Sequence, residues 1–286
     1  MSMPMDKIIS DEQILTDAGF YWRERGGVKA LICRPLEEAG FVNAFSTRSG
    51  GVSDFPENSL NLAGFDEDTA ANIEENRRRF LGVIGGEYAL MTAWQIHSDR
   101  VKLVETFEEG TGSDEKSDAL VSKMAGGVVG VKTADCVPIL IGDPGSGAFA
   151  AVHAGWRGTA LSIVSKAIGV MRDSLSADPE RMVAAIGPAA GRRNYEIGPE
   201  VTEAFETEFA DAAKYFKMTR PGHALIDLHQ ANADQLTAAG VSPSKIFKAP
   251  LCTMERTDLF FSYRVEKSKF GKVGRLLSVI GQKNTD

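Results

Sequence analysis

Cysteine and histidine are scarce in this chain of 286 residues, three of the first and four of the second. Cys33, Cys136 and Cys252 are odd in number and widely spaced, which argues against a disulfide framework and leaves free thiols. With only His97, His153, His223 and His229 available, any metal or acid–base site has few candidate members. Long apolar runs are missing as well. Nowhere do eighteen apolar residues stand together, so no membrane-spanning helix is expected. The N-terminal stretch MSMPMDKIISDEQILTDAG carries acidic residues where a secretory leader would carry its apolar core, which points to a cytoplasmic protein. Basic charge is also in deficit: 32 Lys and Arg against 39 Asp and Glu leave −7. A general nucleic-acid surface needs clustered cations, so no nucleic-acid partner is expected. The one dense basic run, Arg77-Arg78-Arg79, falls on an expected helix and reads as its solvated face. Linkers rich in Pro, Ser or charge and internal repeats are both lacking, so one domain over residues 1–286 is expected.

What is present is an interleaving of strand and helix patterns. Val28 to Cys33 and Gly40 to Thr47 read as strands, the second ending in a Gly-rich turn at Arg48-Ser49-Gly50-Gly51. Asp68 to Leu81 has the pattern of a surface helix stopped by Gly82. The apolar runs VPILI and AFAAV, separated by Asp-Pro-Gly-Ser-Gly, signal a β-hairpin. Thr159 to Leu175 reads as an amphipathic helix, with Ala160, Ile163, Val164, Ala167, Ile168, Met171 and Leu175 at 3- and 4-residue steps. Met182 to Ile186 reads as a strand, Glu200 to Ala213 and Leu228 to Ala239 as helices, and Lys245 to Ala249 as a late strand. This is the signature of a layered α/β domain with a mixed sheet.

The hairpin focuses attention on one thiol. With its turn centred near Gly145, residues whose numbers sum to about 289 or 290 face each other, which sets Cys136 opposite His153 or Ala154. Cross-strand neighbours have Cβ atoms about 5 Å apart, so thiol and imidazole reach one small volume. Such a pair supports two chemistries: an imidazole-activated thiolate nucleophile, or a shared metal. Adding His97, at the end of a strand-like stretch, gives a Cys/His/His set that suits tetrahedral Zn²⁺, with water in the fourth position. The spacings from residue 97 to 136 and from 136 to 153 match no compact zinc finger. Gly145-Ser146-Gly147 mimics a dinucleotide loop, but a strand rather than a helix follows it, so it is a hairpin turn.

The residues then carry a resemblance. Phe45-Ser46-Thr47-Arg48 with Gly50-Gly51-Val52-Ser53, Ser59-Leu60-Asn61-Leu62, Gln95-Ile96-His97, Thr133-Ala134-Asp135-Cys136-Val137-Pro138 and Val152-His153-Ala154-Gly155-Trp156-Arg157-Gly158 occur in order. Ile186-Gly187-Pro188, Tyr195-Glu196-Ile197-Gly198, Asp227-Leu228, Cys252-Thr253 and Phe260-Phe261-Ser262-Tyr263-Arg264, with Gly274-Arg275, continue the series. Together they resemble the signature blocks of the YfiH-type laccase-domain family, also called multicopper polyphenol oxidoreductases and purine nucleoside phosphorylases. The resemblance implies an α+β class, a three-layer α/β/α domain with one mixed sheet and a core at about 25–281, and a zinc held by His97, Cys136 and His153. It implies phosphorolysis of adenosine, inosine, guanosine and methylthioadenosine to base plus sugar 1-phosphate, together with adenosine deamination. Polyphenol oxidation with copper and peptidoglycan editing are also attached to the family. Two departures stand out: Ala189-Ala190-Gly191-Arg192-Arg193-Asn194-Tyr195 puts cations where relatives carry small or thiol residues, and Tyr263-Arg264-Val265 lacks a double arginine.

Chemistry sorts these activities. Four histidines cannot build a blue copper centre plus an imidazole-rich trinuclear cluster, so laccase chemistry would need a different copper site, or copper at the zinc position, where the Irving–Williams order favours it. The H-x-E and P-C-x-x-C signature of zinc deaminases is absent. Phosphorolysis needs fixed cations for phosphate, and Arg48 and Arg157, beside glycine-containing turns, are the expected anion contacts. Asn61 and Asp135 are expected to orient ligands or substrate. The leading expectation is a zinc-dependent, monomeric cytoplasmic enzyme acting on purine nucleosides and phosphate, with Cys136, His153, His97, Arg48, Arg157 and Asp135 as its catalytic set. Two alternatives stand beside it: a hydrolase or amidase on cell-wall precursors with Cys136 as nucleophile and His153 as base, and a binding protein with structural zinc.

Overall fold

A computed structural model describes residues 11–64, 68–110 and 115–283. The first ten residues, part of the stretch from which a cytoplasmic location is read, lie outside the described residues. Helix α1 (Asp11–Asp17) leads into β1 (Phe20–Arg25) and β2 (Val28–Cys33), then α2 (Arg34–Glu38), β3 (Phe41–Ser46), β4 (Ser49–Asp54) and β5 (Glu57–Ser59). Next come α3 (Ala70–Ile84), β6 (Ala89–Met91), β7 (Val101–Leu103), α4 (Phe107–Gly110), β8 (Ala119–Ser122), β9 (Gly127–Thr133), β10 (Val137–Gly142) and β11 (Phe149–Ala154). They are followed by α5 (Trp156–Ala160), α6 (Ile163–Leu175), β12 (Val183–Ile186), β13 (Glu196–Ile197) and α7 (Pro199–Glu208). The chain continues through β14 (Phe216–Arg220), β15 (His223–Ile226), α8 (Leu228–Ala238), β16 (Ile246–Lys248), α9 (Tyr263–Phe270) and β17 (Leu276–Gln282).

The mixed α/β class with mixed sheets is as expected, but the β layer is double. One six-stranded sheet runs β1-β2-β3-β17-β9-β6 and a second runs β16-β12-β10-β11-β8-β7. The period-2 alternation of strand side chains explains how they stack. Leu31 and Cys33 of β2, Val129 and Val131 of β9, Leu140 of β10 and Phe149 and Ala151 of β11 share one core between the sheets. Their alternates Val28, Ala30, Ile32 and Val128 pack with Phe80, Val83 and Ile84 of α3 on the outer face of the first sheet. Val137, Ile139, Ala150 and Val152 pack with Ile163, Val164, Ile168 and Met171 of α6 on the outer face of the second. Four layers result where three had been expected. The inter-sheet core reaches back to Leu15 and Phe20, ahead of residue 25.

Several boundaries move for identifiable reasons. Ser49 to Gly51 is strand rather than turn: Gly50 has φ +89, and a Cβ there would lie 2.3 Å from Gly27 O, so these glycines serve close backbone approach. Helix α3 runs past Gly82 to Ile84 and ends at Gly85, which has φ 73. The helix expected from Thr159 to Leu175 is split by Ser162 in the left-handed region (φ 59), although every apolar residue assigned to its inner face is buried. The helix expected from Glu200 to Ala213 stops at Glu208 and gives way to a 3₁₀ turn at Ala212–Tyr215. In the β10–β11 hairpin Val137 pairs with Ala154 and Pro138 with His153. Extending that register sets Cys136 opposite Gly155, and the register expected from the sequence is corrected accordingly. Asp143 explains the shift, because its buried carboxylate accepts the Gly145 and Ser146 amides at 3.0 and 3.2 Å and so fixes the turn.

Candidate metal centre

The loops after β6 and β9 and the end of β11 meet at one edge of the two sheets. Cys136 stays within reach of His153 despite the altered register, because both lie on the inter-sheet face and become diagonal neighbours. The donor atoms of His97, Cys136 and His153 all lie within 4.8 Å of one another. The Cys136 Sγ to His97 Nε2 distance is 3.9 Å, and the two imidazoles meet edge to face at 4.9 Å between centroids. A tetrahedral zinc holds such donors about 3.3–3.8 Å apart, so the set closes on one ion with a shift of about an ångström. His97 is exposed, Cys136 half-buried and His153 buried, which leaves the cluster open on one side.

Sequence reasoning missed Asp118, and the site is built around it. Its fully buried carboxylate lies 2.8 Å from His153 Nδ1 through Oδ1, which turns the histidine's Nε2 toward the cluster. The same carboxylate accepts the successive amides of Ile96, His97 and Ser98 at 3.2, 2.9 and 2.7 Å, and the Ser98 hydroxyl at 2.7 Å. A left-handed His97, with φ 59, is what curls three consecutive N–H groups around one anion. Burial works against the charge, but hydrogen bonds from His153 and Ser98 prevail and hold Asp118 down to about 2. A carboxylate gripping a metal-binding histidine fixes both its tautomer and its orientation. The sequence signal was a lone Asp just ahead of the apolar run Ala119–Ser122.

Gln95 steadies the same loop from the other side. Its side chain donates to Lys132 O and accepts from Lys132 N, each at 2.7 Å. In the metal-free arrangement Cys136 is depressed to about 6. Burial pushes it up, and the neighbouring His153 charge with hydrogen bonds from both histidines overrides it. His153 rises to about 9, against burial, through the Cys136 thiolate and Asp118.

Asp135 sits beside the cluster as a clamp. Held at φ 81, it accepts the Thr253 hydroxyl at 2.6 Å, the Ser262 hydroxyl at 3.0 Å and the Arg264 amide at 2.7 Å. Burial pushes its carboxyl up in spite of these donors. Arg264 is thereby seated against Tyr195, its guanidinium 5.0 Å over the ring. Tyr195, Arg264 and Trp156 line a cleft of about 340 Å³ that also meets Glu196, Arg220 and His223. Burial, reinforced by the Cys136 charge, pushes the Tyr195 hydroxyl up to about 12, so the cleft and the cluster are electrostatic neighbours.

The remaining expected residues divide. Arg157 is exposed, with its guanidinium 4.2 Å over the Trp156 ring at the cleft. Arg48 donates to Thr257 O at 2.7 Å and Phe260 O at 3.3 Å and pairs with buried Glu266 at 2.9 Å, so its charge is matched inside the fold. Asn61 likewise accepts the Ala63 and Arg275 amides at 3.2 and 2.9 Å and ties loops together. Arg192 lies 3.6 Å from Asp227 and Arg193 3.3 Å from Glu255, both exposed. Cys33 is buried, and burial pushes its thiol up to about 12. Cys252 accepts the Gly191 amide at 3.2 Å. His229 is held to Gly187 O at 3.2 Å and pushed down by burial. No helix among the described residues is long and apolar enough to cross a membrane.

The family model described as multi-copper polyphenol oxidoreductase laccase matches residues 42–283. The chain belongs to this family. Within the laccase-like family it is similar to "Purine nucleoside phosphorylase YfiH" of Escherichia coli (strain K12), 35% identical over 88% of this chain and 98% of that protein. It is also 35% identical to "Purine nucleoside phosphorylase" of Xylella fastidiosa (strain Temecula1), over 79% of this chain and 88% of that one. Two solved structures of the fold superpose with a TM-score of 0.84. They are YlmD from Geobacillus stearothermophilus, at 30% identity over 93% of this chain and 99% of the other, and Bacillus licheniformis hypothetical protein YfiH, at 27% over 92% and 99%.

Proposed function

We propose that the protein is a zinc-dependent purine nucleoside phosphorylase, splitting adenosine, inosine, guanosine and methylthioadenosine with phosphate into base and sugar 1-phosphate. Adenosine deamination is proposed as a second activity of the same site. The observation that carries this reading is the His97/Cys136/His153 cluster beside a cleft lined by Tyr195, Trp156 and Arg264, and the relatives' names agree with it. In this reading the chain works as one domain, as a monomer in the cytoplasm, on small molecules and without nucleic acid or membrane.

His97, Cys136 and His153 would hold the zinc, whose chemistry is Lewis-acid polarisation. Copper would occupy the same three donors in copper-rich medium. The chain's own residues do the rest. Aromatic faces of Tyr195 and Trp156 suit a purine, and a cleft of this size accepts a nucleoside. Arg264, fixed by its amide on Asp135, and Arg157 at the rim supply the fixed cations that phosphate requires. Asp118 and Gln95 keep the histidines in place.

A second reading is favoured by the closeness of Cys136 to the two imidazoles, which lowers the thiol and raises His153. Such a pair would serve a hydrolase or amidase on peptidoglycan precursors, with Cys136 as nucleophile. Incubating metal-characterised protein with adenosine, with and without phosphate, separates the readings. Adenine and ribose 1-phosphate formed only with phosphate support phosphorolysis. Inosine alone, indifferent to phosphate, reduces the protein to a deaminase, and no turnover by the zinc-loaded protein overturns both activities.

A further inference from the structure

Away from the metal centre, a second cleft of about 560 Å³ lies between the β1–β2 turn and the C-terminal half of α3. Among the described residues its walls are three arginines, Arg25, Arg78 and Arg79, with four glycines and no acidic side chain. In a chain of net charge −7, three guanidiniums around one concavity run against the overall charge. Glu75 holds two of them, 2.7 Å from Arg78 Nε and from Arg79 Nε, and takes a second bond from Arg78 Nη2 at 2.8 Å. The guanidiniums are also anchored. Arg25 donates to Gly82 O at 3.1 Å and Arg79 to Gly50 O at 3.2 Å, while Arg78 stands at the mouth with 72% of its side chain exposed.

The glycines sharpen the case. Gly26 and Gly85 have φ 59 and 73, so turn geometry accounts for them. Gly82 has no such reason: it is helical, and a Cβ built on it meets no atom of the described residues within 4 Å, as at Gly169 of α6. Glycine inside a helix costs about 1 kcal/mol relative to alanine. No contact among the described residues asks for it. What it does is keep the floor of an arginine-lined cleft free of side chain. Guanidinium forks match phosphate oxygens, and the volume lies in the range of small-molecule sites.

We infer that this cleft binds a small ligand bearing a di- or triphosphate group, held by Arg25, Arg78 and Arg79 over the bare backbone at Gly82. The inference is independent of the reading of the metal centre. The test is calorimetric titration of the zinc-loaded full chain with inorganic pyrophosphate, ADP and adenosine at constant salt. One pyrophosphate per chain is expected to remain in the Arg264→Gln variant, with its affinity reduced at least tenfold when Arg25→Gln and Arg78→Gln are added. Gly82→Leu should also abolish it, while leaving the helix intact by circular dichroism. That second variant decides the matter if the combined variant fails to fold. Tighter ADP than pyrophosphate would identify a nucleotide, and equal affinities a free polyphosphate. Pyrophosphate binding unaltered by either cleft variant, or lost in Arg264→Gln instead, overturns the site. So does a single-stranded oligonucleotide that binds more tightly than either phosphate compound and loses that affinity in the cleft variants.

Discussion

Asp118 meets His153 twice: its carbonyl oxygen accepts the His153 amide at 2.7 Å, and its carboxylate lies 2.8 Å from Nδ1 of the same residue. One residue thereby fixes both the strand register and the ring orientation of a candidate metal ligand. Asp118→Asn keeps the shape but loses the acceptor charge. It is expected to weaken zinc 10–100-fold, read by competition with a chromogenic chelator. Asp118→Ala also strands the 96–98 amides and should cost roughly 2–4 kcal/mol of stability in denaturant titration. Unchanged zinc affinity in both variants would remove Asp118 from the site.

Gly155 is expected to tolerate no side chain. A Cβ there would stand 3.1 Å from Cys136 Sγ and 3.1 Å from His97 Cδ2, although its φ of −68 is open to any residue. Gly155→Ala should lower zinc occupancy and Gly155→Val abolish it, with little change in thermal midpoint. His97→Ala, Cys136→Ser and His153→Ala should each do the same from an initial content of about one zinc per chain. Full metal content in two of those three would refute the ligand set.

Cys33→Ser and Cys252→Ser should leave zinc content and turnover within a few-fold of the parent. Cys33 is sealed in the inter-sheet core, and Cys252 braces the 191–194 turn through the Gly191 amide. Loss of turnover by Cys252→Ser with zinc retained would place thiol chemistry there.

Local pattern made several strands and helices legible, though β8 and β17, buried along nearly their whole length, were not read. Val28–Cys33 was read with its observed ends, and the inward residues of α6 were read from their spacing. Positive-φ residues escaped, because Ser162, His97 and Asp135 give no sign of their backbone state in a single sequence. The doubled sheet escaped for another reason: alternating strands reveal that two faces are buried, not what covers each one. At the site, the three donors were readable as residue types that share a metal. The carboxylate that orients them was not, since Asp118 stands 35 residues from His153 and only the parallel pairing of β7 with β8 and the β8–β11 ladder bring it there. The ion pair of Arg48 with Glu266 was not readable either, because the two residues are far apart in sequence.

Arg48 and Arg264 should fail differently. Arg48→Ala leaves Glu266 buried without its partner and should cost roughly 3 kcal/mol of stability, with the phosphate requirement of any remaining activity unaltered. Arg264→Ala should raise the apparent phosphate KM and add about 2–4 kcal/mol to the barrier, with deamination less affected. Phosphate dependence that follows Arg48 rather than Arg264 would reverse this assignment.

Acid should loosen the fold in a defined window. Asp118 and Asp143 are both held down to about 2, the second by Arg181 and the turn amides against its burial. Because the folded-state values lie below the unfolded carboxylate value of about 3.9, their stabilisation is complete above pH 4 and is lost as pH falls toward 2. Denaturant midpoints should therefore fall steeply between pH 4 and 2, and the fall should be smaller in Asp143→Asn. Equal slopes for parent and variant would contradict the assignment.

The position of β17 bears on how the chain folds. It lies between β3 and β9 in the middle of its sheet, yet comes last among the described strands, and Ser278 pairs with Phe45 more than two hundred residues earlier. Until it arrives, β3 and β9 each expose an unpaired edge of N–H and C=O groups, and the two-sheet core is unroofed. Closing so long a loop is entropically slow, and exposed edges invite pairing with other chains. Refolding should therefore be late and concentration-sensitive, with a peptide matching Leu276–Gln282 able to compete for the open slot.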